Sequence, residues 1–155
     1  MKKDMKTLSL IAVFILSVNL SSTAYDPKCN DFLNTRLFKM SDPGNYLPYG
    51  QSKSESVEVR RLYKFEIVFI GKKEYKIGIA TEEDYEPIHF RIIDNQKKVL
   101  YDNKQYQYKG SVDFYMEKTQ SITIEITVLA SNELLLLPRG LRTCLGIKIF
   151  NKSIV

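Results

Sequence analysis

Between residues 62 and 128 apolar and polar residues alternate with few interruptions: LYKFEIVFIGKKEYKIGIA, then HFRIIDNQKKVLYDN, then SITIEITV. A period of two sends successive side chains to opposite faces of a strand, so one face can be buried while the other stays wet. A helix cannot bury such a pattern, because its apolar face recurs every three to four residues. The breaks carry Gly, Asn, Asp and Lys, and Gly, Asn and Asp are residues of tight turns. The chain is expected to fold as an antiparallel β protein.

The strands follow in order. Val57, Val59, Tyr63, Phe65, Ile67 and Phe69 share one face of a strand that begins at Val57, with Glu58, Arg60, Lys64 and Glu66 on the other. Val68 and Ile70 interrupt the polar side, which predicts a strand end buried on both faces. Gly71-Lys72-Lys73 predicts a tight turn, so that Tyr75, Ile77 and Ile79 return as the second arm of a hairpin. Ile88, Phe90 and Ile92 alternate with His89 and Arg91, residues 94–98 turn the chain, and Val99-Leu100-Tyr101 brings it back. Residues 102–110 read as a polar loop. Val112, Phe114 and Met116 form another strand, Ile122, Ile124, Ile126 and Val128 the next, and Leu145, Ile147 and Ile149 the last. Leu134, Leu135, Leu136 and Leu137 fit a buried strand or a turn of helix and, if exposed, an interface. The expected fold class is all-β: an antiparallel sandwich of about eight strands, Greek-key or jelly-roll in its connections, with one short N-terminal helix.

Residues 1–24 have the pattern of a cleaved secretory signal. Lys2, Lys3 and Lys6 precede an apolar run over residues 8–18, and Ser22-Thr23-Ala24 offers small residues for cleavage before Tyr25. The run is shorter than the roughly 18–20 apolar residues of a membrane span. Asp26-Pro27-Lys28 before Cys29 does not fit a lipidation signal, so the mature protein is expected to be exported, periplasmic or extracellular, without a stable membrane anchor. Residues 25–56 are expected to pack on the sandwich domain, 57–155. Asp26 as N-cap and Pro27 at the first helical position predict a short helix over residues 27–39. Residues 41–56 read as a loop from Pro43-Gly44, Pro48 and Gly50. Within that loop Tyr46 and Tyr49 are candidates for core anchoring or for a partner interface.

Composition matters mainly for what it excludes. Of the net charge of +5, residues 1–24 carry two units, leaving +3 on the exported part. The lysines are scattered, which argues against nucleic acid as a partner. Ten Tyr and eight Phe without Trp fit pleated sheets.

Export makes a disulfide the expected state of Cys29 and Cys144, the two cysteines of the chain. Glu82, Glu83, Asp84 and Glu86 form an acidic cluster. It is a calcium candidate, to which Asp94, Asp102 and Asn103 could add oxygen ligands, although its spacing is not that of an EF-hand loop. A solvated acidic loop is the simpler account of it, and no other cofactor is indicated. His89, the single histidine, reads as a half-exposed strand residue. No Gly-x-Ser-x-Gly nucleophile elbow occurs in the sequence.

The run from Leu62 onward resembles the bacterial pre-peptidase C-terminal family of accessory domains. Tyr63-Lys64-Phe65-Glu66-Ile67 through Gly71-Lys72-Lys73-Glu74-Tyr75-Lys76-Ile77 is similar to that family's hairpin. Phe90-Arg91-Ile92-Ile93-Asp94 through Lys98-Val99-Leu100-Tyr101-Asp102-Asn103 is similar to its strand, polar turn and strand. Ile122-Thr123-Ile124-Glu125-Ile126-Thr127-Val128 resembles its closing strand. The resemblance implies a jelly-roll sandwich and an accessory role; the Cys29/Cys144 pair and the N-terminal helix are not part of the family's pattern.

These readings predict a small exported, non-enzymatic β-sandwich that binds a protein or glycan at the bacterial cell envelope. The alternatives are a secreted hydrolase using the loop carboxylates and a structural envelope component.

Overall fold

The computed structural model describes residues 27–35, 44–131 and 140–154. The expected signal sequence, residues 36–39 of the expected helix and the four leucines at 134–137 lie outside the described residues. Nine strands are found among the described residues: β1 (Leu47–Pro48), β2 (Lys53–Glu58), β3 (Leu62–Phe69), β4 (Lys73–Thr81), β5 (Ile88–Ile93), β6 (Val99–Asp102), β7 (Ser111–Met116), β8 (Gln120–Val128) and β9 (Arg142–Ser153). They form two antiparallel sheets. Sheet I runs β1-β9-β4-β7, with β2 also paired to β9, and sheet II runs β3-β8-β5-β6. With β1 set aside, this is the strand order of a jelly roll. The β5–β6 pair is a hairpin, while every other connection from β2 to β9 crosses between the sheets.

The alternating residues identify the core correctly. Phe65, Ile67, Phe69, Phe90, Ile92, Ile122, Ile124, Ile126 and Val128 of sheet II are buried against Val57, Tyr75, Ile77, Ile79, Leu145, Ile147 and Ile149 of sheet I. Burying a side chain of this size contributes roughly 1.5–3 kcal/mol.

Strand partners differ from expectation in one important place. Residues 62–79 are not a hairpin: β3 pairs with β8 in sheet II, whereas β4 pairs with β7 and β9 in sheet I. The Gly71-Lys72 turn is an arch over the end of the sandwich. The Phe69 and Tyr75 rings therefore meet edge to face across the core, with centroids 4.7 Å apart. The β7–β8 turn is a second arch, and the two lie in contact. A Cβ at Gly71 would stand 2.8 Å from Lys118 Cα and from Thr119 N, and the Gly71 N–H donates to Thr119 Oγ1 at 2.9 Å. Alternation fixes which face is buried but not which edge a strand pairs with.

Four further expectations need correction. The strand expected from Val57 through Phe69 is two strands, because the chain turns at Val59-Arg60, with Arg60 in the left-handed region at φ 65°, and moves from sheet I to sheet II. Val68 and Ile70 are not buried on both faces but are 46% and 44% exposed. The loop read over residues 41–56 contains β1 and part of β2, both paired with β9. At the N-terminal side, two single helical turns, α1 (Pro27–Asn30) and α2 (Phe32–Thr35), stand where one helix was expected to begin. Among the described residues no helix is long and apolar enough to cross a membrane.

Candidate functional site

Cys29 and Cys144 form a disulfide, with Cα atoms 5.2 Å apart. It joins α1 to β9, and Phe32 is buried with it in a small apolar cluster. The Ser54 hydroxyl donates to the Cys29 carbonyl, fastening the same helical turn to β2. The bridge is thus a staple between the N-terminal segment and sheet I.

Beside the staple lies a pocket of about 530 Å³ lined by Asp31, Phe32, Thr35, Glu82, Glu83, Asp84 and Cys144. It collects three of the four acidic residues singled out in the sequence, adds Asp31, and does not include Glu86. Glu82 is engaged by the protein itself. Its Oε2 accepts from the Thr143 hydroxyl at 2.8 Å and from the Cys144 N–H at 3.3 Å. Glu83-Asp84-Tyr85 is a 3₁₀ turn, followed by a cis Glu86–Pro87 bond. Among the described residues no group of three or more His, Cys, Asp or Glu side chains is placed to hold a metal ion. Asp94, Asp102 and Asn103 do not join the acidic cluster. Asp94 accepts from the N–H groups of Gln96 and Lys98, Asp102 from that of Lys104, and Asn103 is buried.

Of the two tyrosines in the 41–56 segment, Tyr49 packs against the core, edge to face with Tyr75 at 5.5 Å, and its hydroxyl donates to the Val68 carbonyl at 2.6 Å. Tyr46 is half-buried on the outside of sheet I. Its hydroxyl donates to Glu74 Oε2 at 3.2 Å, and the ammonium groups of Lys76 and Lys152 lie 5.7 and 5.9 Å from its ring centre. Burial, and then the bond to Glu74, push the Tyr46 hydroxyl pKa up.

A different surface is built more deliberately. β6 ends at Asp102 and runs into a 3₁₀ turn, Asn103–Tyr106, so residues 99–110 form one rim of sheet II. Asn103 is fully buried within this polar stretch. Its side-chain oxygen accepts the Phe90 N–H at 2.8 Å, and its amide donates to the carbonyls of Ile88 (2.9 Å) and Lys109 (3.3 Å). The Tyr108 N–H in turn donates to the Asn103 carbonyl at 2.9 Å. This clamp holds Gln107 and Tyr108 consecutively in the left-handed region, at φ 54° and 58°. Two non-glycine residues in that region persist only where the surroundings over-determine them, and such strain gathers at functional surfaces.

The rim exposes a tyrosine of this loop and two aliphatic residues of β6. Tyr106, Leu100 and Val99 are 55%, 47% and 44% exposed. Tyr106 stacks on Tyr101 with centroids 5.1 Å apart and planes at 8°, and Tyr101 packs on Phe90 of the core at 5.5 Å. Tyr108 lies edge-on to His89 at 6.2 Å. His89 is half-buried, as its strand position suggested, and its Nε2 stands 2.9 Å from Asp102 Oδ1.

Behind this rim the outer face of sheet II carries charges in cross-strand register. Lys64 of β3 and Arg91 of β5 stand opposite Glu125 of β8, and Arg91 stands opposite Asp102 of β6. Glu125 is buried and bridges Lys64 at 2.8 Å and Arg91 at 2.5 Å. The Lys64 bond lowers the Glu125 pKa, burial opposes it, and Arg91 adds to the lowering. Burial raises that of Asp102, but the Lys104 N–H, His89 and Arg91 together overcome it and leave it lowered.

Residues 102–110 read as a polar loop in the sequence, and this rim is not visible there. The signal was Tyr101, Tyr106 and Tyr108 within YDNKQYQYKG. What could not be seen was the burial of Asn103, which depends on β6 pairing with β5.

No family model matches the sequence, and no curated protein matches it. Among solved structures, PliG of Aeromonas hydrophila, a periplasmic lysozyme inhibitor of g-type lysozyme, aligns with a TM-score of 0.47 and 8% identity. The alignment covers 65% of this chain and 84% of that chain.

Proposed function

We infer that the protein is a non-enzymatic binding module that acts outside the cytoplasm and recognises a protein partner through the rim of residues 99–110. The observation that carries this reading is the buried Asn103 clamp, which holds exposed Tyr106 and the left-handed Gln107-Tyr108 pair in one conformation. Rigid tyrosines offer large contact area at low entropic cost, and a surface ordered before binding keeps more of its contact energy. Exposed Leu100 and Val99 on the same edge strand favour a protein over a glycan, because apolar side chains suit a dehydrated protein interface. The disulfide and the signal pattern of residues 1–24 support an exported location.

A photo-crosslinking residue at Gln105 of the exported protein tests the reading. The expected result is one discrete protein adduct that disappears in Tyr106→Ala and Leu100→Asp. Absence of an adduct, persistence in both variants, or retention of the protein on a glycan through the same residues overturns it.

The carboxylate-lined pocket supports a second reading, a hydrolase. It is the weaker one, because Glu82 is held by Thr143 and Cys144. Hydrolysis of a glycan polymer that is lost in Asp84→Asn would favour it over the binding module.

A further inference from the structure

The rim just described is one edge of sheet II; the opposite edge is β3. Val68 shows which way that edge points. Its N–H donates to Gln51 Oε1 at 3.1 Å, and its carbonyl accepts from Gln51 Nε2 at 3.1 Å and from the Tyr49 hydroxyl at 2.6 Å. In an antiparallel ladder the N–H and C=O of one residue point to the same side, and the side alternates along the strand. Those of Leu62, Lys64 and Glu66 therefore also point away from β8, into the place of a further strand. Gln51 fills that place at Val68. Among the described residues no side chain does the same at Lys64 or Glu66.

The side chains of these four residues lie on the outer face and are exposed, Leu62 by 50%. They read apolar, positive, negative, apolar. That order is self-complementary under a two-fold rotation.

The geometry points to a second copy of this chain as the occupant of the edge, with two β3 strands pairing antiparallel about a two-fold axis at Phe65. Lys64 of each copy then stands opposite Glu66 of the other, and Leu62 opposite Val68. These are the residues whose backbone groups point outward, so the two Lys64/Glu66 pairs alone make four main-chain hydrogen bonds. The charges also choose the register. A shift in one direction sets Lys64 against Lys64, and in the other Glu66 against Glu66; both arrangements are repulsive. The product is one continuous eight-stranded sheet. Gln51 opposes its full length by occupying Val68, as edge-protecting side chains do. Both tyrosine rims remain at the outer ends, so this pairing is independent of the function assigned to them.

Sedimentation velocity over a concentration series of the mature, disulfide-bonded protein tests the inference. A reversible dimer is expected, weaker at high salt. Glu66→Lys places lysines opposite each other twice and should weaken the dimer by about tenfold or more. At concentrations where both proteins are monomeric its thermal midpoint should be unchanged, because Glu66 is exposed. Gln51→Ala leaves β3 intact and should tighten the dimer. A protein monomeric at every concentration, a dimer indifferent to Glu66→Lys, or a dimer that Gln51→Ala fails to tighten overturns the inference.

Discussion

The side-chain oxygen of Asn103 accepts the Phe90 N–H at 2.8 Å, standing where a carbonyl of a longer β6 would be. Asn103 continues the register that pairs Asp102 with Arg91, but through its side chain rather than its backbone. This frees the backbone to turn away and form the tyrosine-bearing loop. In Asn103→Ala the Phe90 N–H and the Ile88 carbonyl lose a buried partner. The expected cost is about 2–3 kcal/mol, read as a lower urea midpoint with an unchanged slope.

Gly71→Ala tests the contact between the two arches. An added Cβ meets backbone atoms of Lys118 and Thr119 rather than the movable end of a side chain. A loss of roughly 1–3 kcal/mol is expected. Thr119→Val, which removes only the hydroxyl that accepts from the Gly71 N–H, should cost less. Calorimetry on both variants gives the order.

The disulfide closes a loop of 115 residues in sequence separation. Chain-entropy estimates for such a loop give about 4–5 kcal/mol. The Cys29→Ser, Cys144→Ser double variant should unfold at correspondingly lower urea concentration. The unreduced protein, denatured and exposed to a thiol reagent, should show no mass increase at either cysteine.

Acid should weaken the outer face of sheet II first. Glu125 and Asp102 have lowered pKa values in the folded protein, so the unfolded chain takes up protons at higher pH than the folded one. The stability they contribute is therefore complete above the ordinary carboxyl range, about pH 4–5, and is lost as pH falls through their lowered folded values. Urea midpoints measured on either side of that range should show the decline. Glu125→Gln should make it shallower while lowering stability at neutral pH, because Lys64 and Arg91 lose their shared carboxylate.

Much of the fold was legible because burial in a sandwich is a property of alternate residues. Phe65, Ile67, Tyr75, Ile77, Ile122, Ile124 and Ile126 are all core, as their spacing required. The pairing of β3 with β8 was not legible. Gly71-Lys72 is an equally good turn within a sheet or between sheets, and residues 117–119, against which it packs, lie far along the chain. The acidic residues were recognised as a group, and three of them share a pocket. That Glu82 is bound to β9, and that Asn103 is buried while its neighbours are exposed, follow from long-range pairing that local composition does not record.

The position of β9 in sheet I sets the order in which the protein can assemble. The last of the nine strands lies between β4 on one side and β1 and β2 on the other. Sheet II can form from β3, β5, β6 and β8 as they emerge, but β4 has only β7 beside it until β9 arrives. Half the sandwich therefore waits, with an apolar face and open strand edges, for the final segment of chain. Truncation before Arg142 should leave not a smaller sandwich but an aggregating one.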